Sequence, residues 1–419
     1  MKSQSFSKSS LSRCLTPDDF YNNDMISDEQ YRSELIERAL SNADKNFKDG
    51  ASFGSFYFNE SDKKKGKKTY FSDSLEEKLV LRKCVKNIFS CSKIKLKSRS
   101  QIAKEIRSYL SEGTEYRIYK LDIKSFFESV RNSRIKEVLH QQPHLSTHTK
   151  NILLGYLSHF PDLLPRGLEF SPVIAELILK NFDEELKRDN GVIYYSRFVD
   201  DILLITTKSE DKKRFLKKIK STLPEGVSLN YNKTIIKDVG NRSVGSNSPV
   251  GTIVAEFNYL GYKFEVRDYR ISRKQKNARY RKVIVDLSDS KVKQLESKLC
   301  KALVNYRNTG DFDLLDSRIK FLTTNRDLVQ KSTGNKISTG IYYNYSLIDQ
   351  HGYALNRLDE SLQKFVMGYE NLFYKPGAPT LNINQKRRLL RSSFKNGFKK
   401  RIYKKFAPYW LKEITSIWL

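Results

Sequence analysis

The chain has 419 residues, long enough for two or three domains with substantial cores. It carries 77 Lys and Arg against 48 Asp and Glu, a formal net charge of +29, and such an excess points to a polyanionic partner, of which nucleic acid is the commonest. A content of 38% hydrophobic and 12% aromatic residues excludes a wholly disordered chain, no apolar run approaches a membrane span, and the opening MKSQSFSKSS lacks the apolar core of a signal peptide, so a cytoplasmic protein without a membrane partner is expected.

In chain order, residues 1–60 read as a polar helical stretch followed by an aromatic one. Thr16-Pro17-Asp18-Asp19 has the form of a helix start, with Thr16 as cap and Pro17 in the first turn. Asp62 to Lys68 reads as an exposed basic loop. Residues 74–112 look helical and basic, with a strand as an alternative at Leu79–Leu81. Tyr116–Ile123 alternates with period two and predicts a strand, with Tyr119, Leu121 and Ile123 on one face and Lys120 and Asp122 on the other.

A helix is expected near 131–140. Cys14, Cys84, Cys91 and Cys300 form no CxxC pair, so no zinc site or disulfide framework is expected. His144 and His148 stand four apart, but Pro143 reads as a helix start and no acid or cysteine lies beside them, which favours surface histidines over a metal pair. Ser171-Pro172 reads as a cap opening the next helix, which Asp189-Asn190-Gly191 ends. Two strands flank Val199-Asp200-Asp201 as a hairpin. Residues 212–223 form an amphipathic helix with Phe215, Leu216, Ile219 and Leu223 on its apolar side. A strand is expected at 227–231 and a hairpin at 257–266. Residues 286–419 look mainly helical and basic in blocks. Lys386 to Lys405 holds ten Lys and Arg and no acid. Phe394, Phe398, Tyr403 and Phe406 interleave with those charges. Packed aromatics with the charges facing RNA are favoured there over aromatics that stack on bases.

Two-metal phosphoryl transfer needs carboxylates that converge from rigid elements, because Mg²⁺ prefers hard oxygen ligands. Asp122 at a strand end and Asp200-Asp201 in a hairpin supply that set. An Asp pair in a turn alone is usually only a turn, so the flanking residues decide.

Arg197-Phe198-Val199-Asp200-Asp201-Ile202-Leu203-Leu204 resembles the YxDD hairpin of reverse transcriptases, with Phe198 at the usual Tyr. Leu121-Asp122-Ile123-Lys124-Ser125-Phe126-Phe127 resembles their first catalytic strand. Pro165-Arg166-Gly167-Leu168-Glu169-Phe170-Ser171-Pro172 resembles the segment between, with Arg166 at the usual Gln. Asn232-Lys233-Thr234 resembles the Lys-containing motif and Tyr259-Leu260-Gly261-Tyr262 the primer grip. These motifs occur in the family's order over about residues 75–265.

The resemblance implies an α+β right-hand polymerase. It divides the chain into an N-terminal extension (1–74), fingers and palm with an antiparallel palm sheet (75–285), and a mainly α-helical thumb and C-terminal RNA-binding region (286–419). It implies Asp122, Asp200 and Asp201 as ligands of two Mg²⁺ ions, with Mn²⁺ as the alternative and the Ile123 carbonyl as a further ligand. Lys233 is implied as proton donor to pyrophosphate, or is a surface lysine. Phe127 is implied as the steric gate that selects dNTPs, or is a core aromatic. Gly167 lets backbone approach the nucleotide or template, and Arg166 contacts one of them. Arg82 and Lys83 fall where the family has its basic fingers strand, with Arg99 a further candidate for the triphosphate. Leu260, Gly261 and Tyr262 position the primer, or form a tight turn with buried aromatics.

No RNase H-like or endonuclease segment follows. QSFSKSSLSRCLTPDDF and GIYYNYSLI (340–348) resemble bacterial defence-associated, abortive-infection-like reverse transcriptases, most like the class encoded beside a second reverse transcriptase and a noncoding RNA. That implies RNA-directed DNA synthesis in antiphage defence, with the noncoding RNA as template or scaffold. The second reverse transcriptase and further copies of this chain are its candidate protein partners. Untemplated or protein-primed DNA synthesis and a non-catalytic RNA-binding palm subunit are the alternatives.

Overall fold

A computed structural model describes the chain apart from residues 1–2, 17–18, 20–22, 49–56, 61–67, 93, 95–96, 242–250, 271–278, 330–335, 350–351, 374 and 419. The expected basic loop at 62–68 therefore lies almost wholly outside the described residues, as do Pro17 and Asp18 of the expected first helix start. Two compact units are present. One comprises 1–97 and 116–238, the other 98–115 and 239–419. They interleave in sequence, because the helix Arg99–Leu110 packs on strands of the later chain.

The first unit holds a short antiparallel pair, β1 (Tyr57–Glu60) and β2 (Lys68–Phe71). Its main sheet comprises β3 (Tyr116–Asp122), β4 (Val192–Phe198), β5 (Asp201–Thr206) and β6 (Ile235–Val239), in the order β4-β5-β3-β6. β5 runs antiparallel to both neighbours. β3 forms where the period-two pattern predicts it, but both its faces are covered: Tyr116, Ile118, Tyr119 and Leu121 are all buried. Arg117 is tolerated inside because Glu210 and Asp238 pair with its guanidinium. The helix Ser171–Lys187 buries Val173, Ile174, Leu177, Ile178, Phe182 and Leu186, a stripe of helical period that faces the common core. Each such side chain contributes about 1.5–3 kcal/mol on burial.

Several local expectations fail for tertiary reasons. Leu79–Leu81 lies inside the helix Leu75–Ser92, so Arg82 and Lys83 stand on a helix and not on a fingers strand. Leu79, Val80, Leu81, Cys84 and Ile88 are all fully buried, which a helix sunk in the core explains better than an edge strand. Residues 227–231 form no strand: Leu229 makes one isolated bridge to Ile123, and the sheet's outer strand is β6 instead. Pro143 sits in a turn, and the next helix starts at Thr147 behind the cap Ser146. Ser171 does not cap its helix. Its hydroxyl donates to the carbonyl of Pro165, and Phe170 occupies the cap position. The helices expected at 131–140 and 212–223 are present as Asn132–His140 and Lys212–Thr222.

The second unit has a three-stranded antiparallel sheet of β7 (Thr252–Tyr259), β8 (Tyr262–Arg270) and β9 (Arg279–Leu287). Helices follow, chief among them Asp289–Thr309, Phe312–Thr323 and Tyr353–Met367. A hairpin of β10 (Asn325–Val329) and β11 (Lys336–Gly340) interrupts them. Asn325 is fully buried and ties the basic C-terminal segment down. Its side-chain amide donates to the carbonyls of Gly397 (3.0 Å) and Ile402 (3.2 Å), and its Oδ1 accepts from the Tyr342 N–H (2.9 Å). Phe394 and Phe398 are buried while Lys399, Lys400, Arg401, Lys404 and Lys405 are exposed. Tyr403 is exposed and contacts Tyr343, and Phe406 packs near Phe321. Among the described residues no helix is long and apolar enough to cross a membrane.

Candidate active site

Asp122 ends β3 and Asp201 begins β5, and the two are direct cross-strand partners. Facing residues of an antiparallel pair hold their side chains about 4.5–5.5 Å apart, and like charges there are destabilising. The turn that joins β4 to β5 consists of Val199 and Asp200, since Phe198 pairs with Asp201. Val199 has φ +58°, a conformation in which a β-branched residue is strained by about 1–3 kcal/mol. Two interactions hold it. The Ile123 N–H donates to the Asp200 carbonyl (3.0 Å), pinning the turn to the end of β3. Arg197 donates to the Val199 carbonyl (3.1 Å) while pairing with Glu176 (2.7 Å) and Asp183 (2.6 Å) on the Ser171–Lys187 helix. Burial works against the charge on Arg197, but the two carboxylates outweigh it and raise its proton affinity. Removing one member of such a buried set typically costs about 3–5 kcal/mol.

The electrostatics follow from this crowding. Burial, then Asp200, then Asp122 push the Asp201 carboxyl up, against the opposing pull of Lys120 and Lys233. Asp122 is nearly buried, and its charge is met by Lys233, whose ammonium donates to both carboxylate oxygens at 2.9 and 3.1 Å. Asn230 adds a third bond at 3.2 Å, and its N–H donates to the Asp122 carbonyl at 2.7 Å. Donating to the Asp122 carboxylate raises the proton affinity of Lys233, which stays charged. Asn230 was not singled out in the sequence. Its place three residues before Lys233, in Asn-Tyr-Asn-Lys, is the signal that could have found it.

Phe127 follows Asp122 on the short helix Phe126–Ser129 and is 9% exposed. The Arg166 guanidinium lies over its ring, 4.7 Å from the centroid, and is anchored on Glu128 at 3.0 and 3.2 Å. Phe126 is buried beside it, the two rings edge to face. Gly167 has φ +100°, and a Cβ there would lie 2.5 Å from the Tyr70 carbonyl oxygen. The Tyr70 N–H also donates to the Arg166 carbonyl (2.7 Å). The glycine thus permits the close approach of β2, a reason the sequence alone did not supply.

Residues 73–264 match the family described as reverse transcriptase (RNA-dependent DNA polymerase), somewhat less than half of the chain. The chain carries a reverse transcriptase domain. No curated protein matches its sequence. A solved structure of apo telomerase from Candida tropicalis, truncated from its C-terminal domain, is similar at 14% identity and a TM-score of 0.31. That likeness covers 44% of this chain, which spans 42% of the telomerase chain's length.

Other expected residues of the reverse transcriptase domain have structural partners. Arg82 forms a bidentate pair with Asp19 (2.6 and 3.1 Å) and donates to the Cys14 carbonyl, and Lys83 donates to the Ser3 carbonyl (3.0 Å). Both therefore hold the N-terminal segment. Lys83 is almost fully buried, and that burial lowers its proton affinity. His148 Nε2 meets the Ala43 carbonyl (2.9 Å), and His144 is exposed in the turn before that helix.

Leu260, Gly261, Tyr262 and Arg99 belong to the second unit. Leu260 (φ +50°) and Gly261 (φ +85°) form the two-residue turn between β7 and β8, the geometry that matches the twist of paired strands. Tyr262 is buried and packs edge to face with Tyr345. Arg99 opens the helix Arg99–Leu110.

Reverse transcriptases generally use divalent metal ions. The donor chemistry fits: Asp122, Asp200 and Asp201 offer hard carboxylate oxygens, and Asp200 and Asp122 both act on the charge of Asp201. Among the described residues no three such side chains have converged to ligating distance. The Lys233 ammonium stands on the oxygens of Asp122, so an ion held by that carboxylate would need Lys233 to swing away. Its side chain, 60% exposed, has the freedom to do so.

Proposed function

We propose that this chain is an RNA-directed DNA polymerase that adds dNTPs to a primer by two-metal phosphoryl transfer and acts in antiphage defence, with a noncoding RNA as template or scaffold. The observation that carries the polymerase reading is the register of Asp122 against Asp201 with Asp200 in the adjoining turn. Facing like charges destabilise a sheet, and a strained Val199 adds to the cost, so this corner favours cation binding over stability. Asp122, Asp200 and Asp201 would hold the ions, joined by the Ile123 carbonyl, with Mg²⁺ the expected ion and Mn²⁺ the alternative. When bound, the ions supply charge neutralisation for the triphosphate and a more acidic primer 3′-hydroxyl.

The chain's own residues do the rest. Lys233, released from Asp122, gives a proton to the departing pyrophosphate. Phe127 supplies the bulk that excludes a ribose 2′-hydroxyl. Arg166 and Gly167 border the nucleotide or template. The Leu260-Gly261-Tyr262 turn positions the primer end. The excess of positive charge and the outward-facing lysines and arginines of 399–405 support a long RNA partner. The defence role and the second reverse-transcriptase subunit rest on the resemblance of residues 4–20 and 340–348. Sequencing the RNA that copurifies with the chain, together with any DNA product, tests this reading. DNA complementary to the bound RNA is expected. DNA with no counterpart in that RNA would contradict a template role.

A further inference from the structure

A cavity of about 410 Å³ lies in the first unit, between the end of the Leu75–Ser92 helix, the Asn132–His140 helix with the turn after it, and the middle of the Ser171–Lys187 helix. Its volume falls in the range of small-ligand sites, about 300–1,000 Å³, and exceeds what a bare phosphate would fill. Three of its lining side chains are basic: Arg134, His144 and Lys180. Among the described residues that line it there is no carboxylate.

Two buried polar atoms at this cavity have no partner among the described residues. They are the hydroxyl of Ser92, a residue only 5% exposed, and Nε of Arg134. The other end of the Arg134 guanidinium donates to Glu137 (2.6 Å), which fixes the group in place. A buried donor without a partner is unfavourable, and a ligand oxygen would supply the partner. Beside these donors, Val138, Leu177 and Ile178 form an apolar wall, and Gln141, Gln142 and Asn181 provide amides.

We infer that this cavity binds a nucleoside phosphate, with Arg134, Lys180 and the Ser92 hydroxyl on the phosphate, the apolar wall against the base and the amides at its polar edge. Lys180, together with the Arg134 Nε that Glu137 leaves open, selects an anion. The apolar wall with neighbouring amides selects a flat ring with hydrogen-bonding edges. None of these residues belongs to the carboxylate corner, so the site is separate from the one proposed for catalysis. The nucleoside phosphate is either a free nucleotide or the 5′-phosphorylated end of a strand.

The test is calorimetric binding to the full-length protein in EDTA, which disables any metal-dependent nucleotide site. The probes are dAMP, inorganic phosphate and a short single strand with a 5′-phosphate. Wild type and Asp200→Ala/Asp201→Ala are expected to bind dAMP alike. Arg134→Gln and Lys180→Gln should each weaken it about tenfold, and Ser92→Ala about three- to fivefold. Lys180 is exposed and on a different helix from Arg134, so its variant serves if Arg134→Gln fails to fold. Tighter binding of the strand than of dAMP, lost in Lys180→Gln, assigns the site to strand ends, and the reverse assigns it to free nucleotide. Absence of dAMP and strand binding, phosphate binding as tight as dAMP, or binding indifferent to Arg134 and Lys180 would each overturn the inference. None of these readouts depends on polymerase activity.

Discussion

Arg166 roofs Phe127. The guanidinium lies 4.7 Å from the ring centroid and is held there by Glu128, so the side chain proposed as the gate is clamped from above. Both charged partners are partly exposed, which keeps the ion pair itself to a modest contribution of about 0–1 kcal/mol. Its effect is to fix the ring's position.

If that ring excludes the ribose 2′-hydroxyl, Phe127→Val should raise the rNTP-to-dNTP ratio of kcat/KM by about 10- to 200-fold. Arg166→Gln keeps the ring but loses the roof, so a smaller rise is expected. Steady-state incorporation with matched rNTP and dNTP measures both. An unchanged ratio in Phe127→Val would return Phe127 to the core.

Lys233 neutralises Asp122 and is proposed to serve later as a proton donor. Lys233→Ala should leave the fold intact, because the side chain is 60% exposed and Asn230 still holds the carboxylate. It should lower the rate of the chemical step by about 10²- to 10⁴-fold, the usual span for a lost general acid. Single-turnover incorporation is the measurement. A variant as fast as wild type would leave Lys233 as a counter-ion only.

Gly167 stands where β2 passes at backbone distance. Gly167→Ala forces a side chain into a left-handed conformation and against the Tyr70 carbonyl. A loss of at least about 1–3 kcal/mol is expected by urea denaturation. A neutral substitution would show that the Arg166–Tyr70 contact is dispensable.

Acid stability should depend on the network beneath β3. Burial pushes the Glu210 carboxyl up, but hydrogen bonds from Tyr119, Thr206 and Arg117 outweigh it, and the carboxyl is held below its ordinary range. A depressed folded pKa gives stability that is complete above the unfolded value and is lost as pH falls through the folded one. Wild type should therefore lose stability below the ordinary carboxylate range, and Glu210→Gln should lose less over the same interval. Urea midpoints against pH decide it, and identical slopes would contradict the assignment.

The parts of the fold that the sequence disclosed are those set by local pattern. β3 follows from alternation, the helix Ser171–Lys187 from its apolar period, and the two-residue turns at Val199-Asp200 and Leu260-Gly261 from their strands. What it concealed was set by distant neighbours. Ser171 has the composition of a cap, yet its hydroxyl serves Pro165, because the incoming chain leaves that carbonyl within reach. Arg82 and Lys83 look like free basic groups, yet the N-terminal segment engages both. Gly167 reads as a ligand contact, while β2 supplies a structural need for it. At the carboxylate corner the types and spacing of Asp122, Asp200 and Asp201 were legible. The Lys233 ammonium on Asp122 and the Arg197 triad behind the turn were not, since both depend on how separate segments meet.

Primer extension in Mg²⁺ by the purified full-length protein with its copurified RNA tests the central claim most directly. Wild type should incorporate dNTPs into a product that resists RNase, and Asp200→Ala/Asp201→Ala, folded and RNA-bound to the same degree, should incorporate none. Equal synthesis by the double variant would contradict the assignment of the Asp122–Asp201 corner as the polymerase centre.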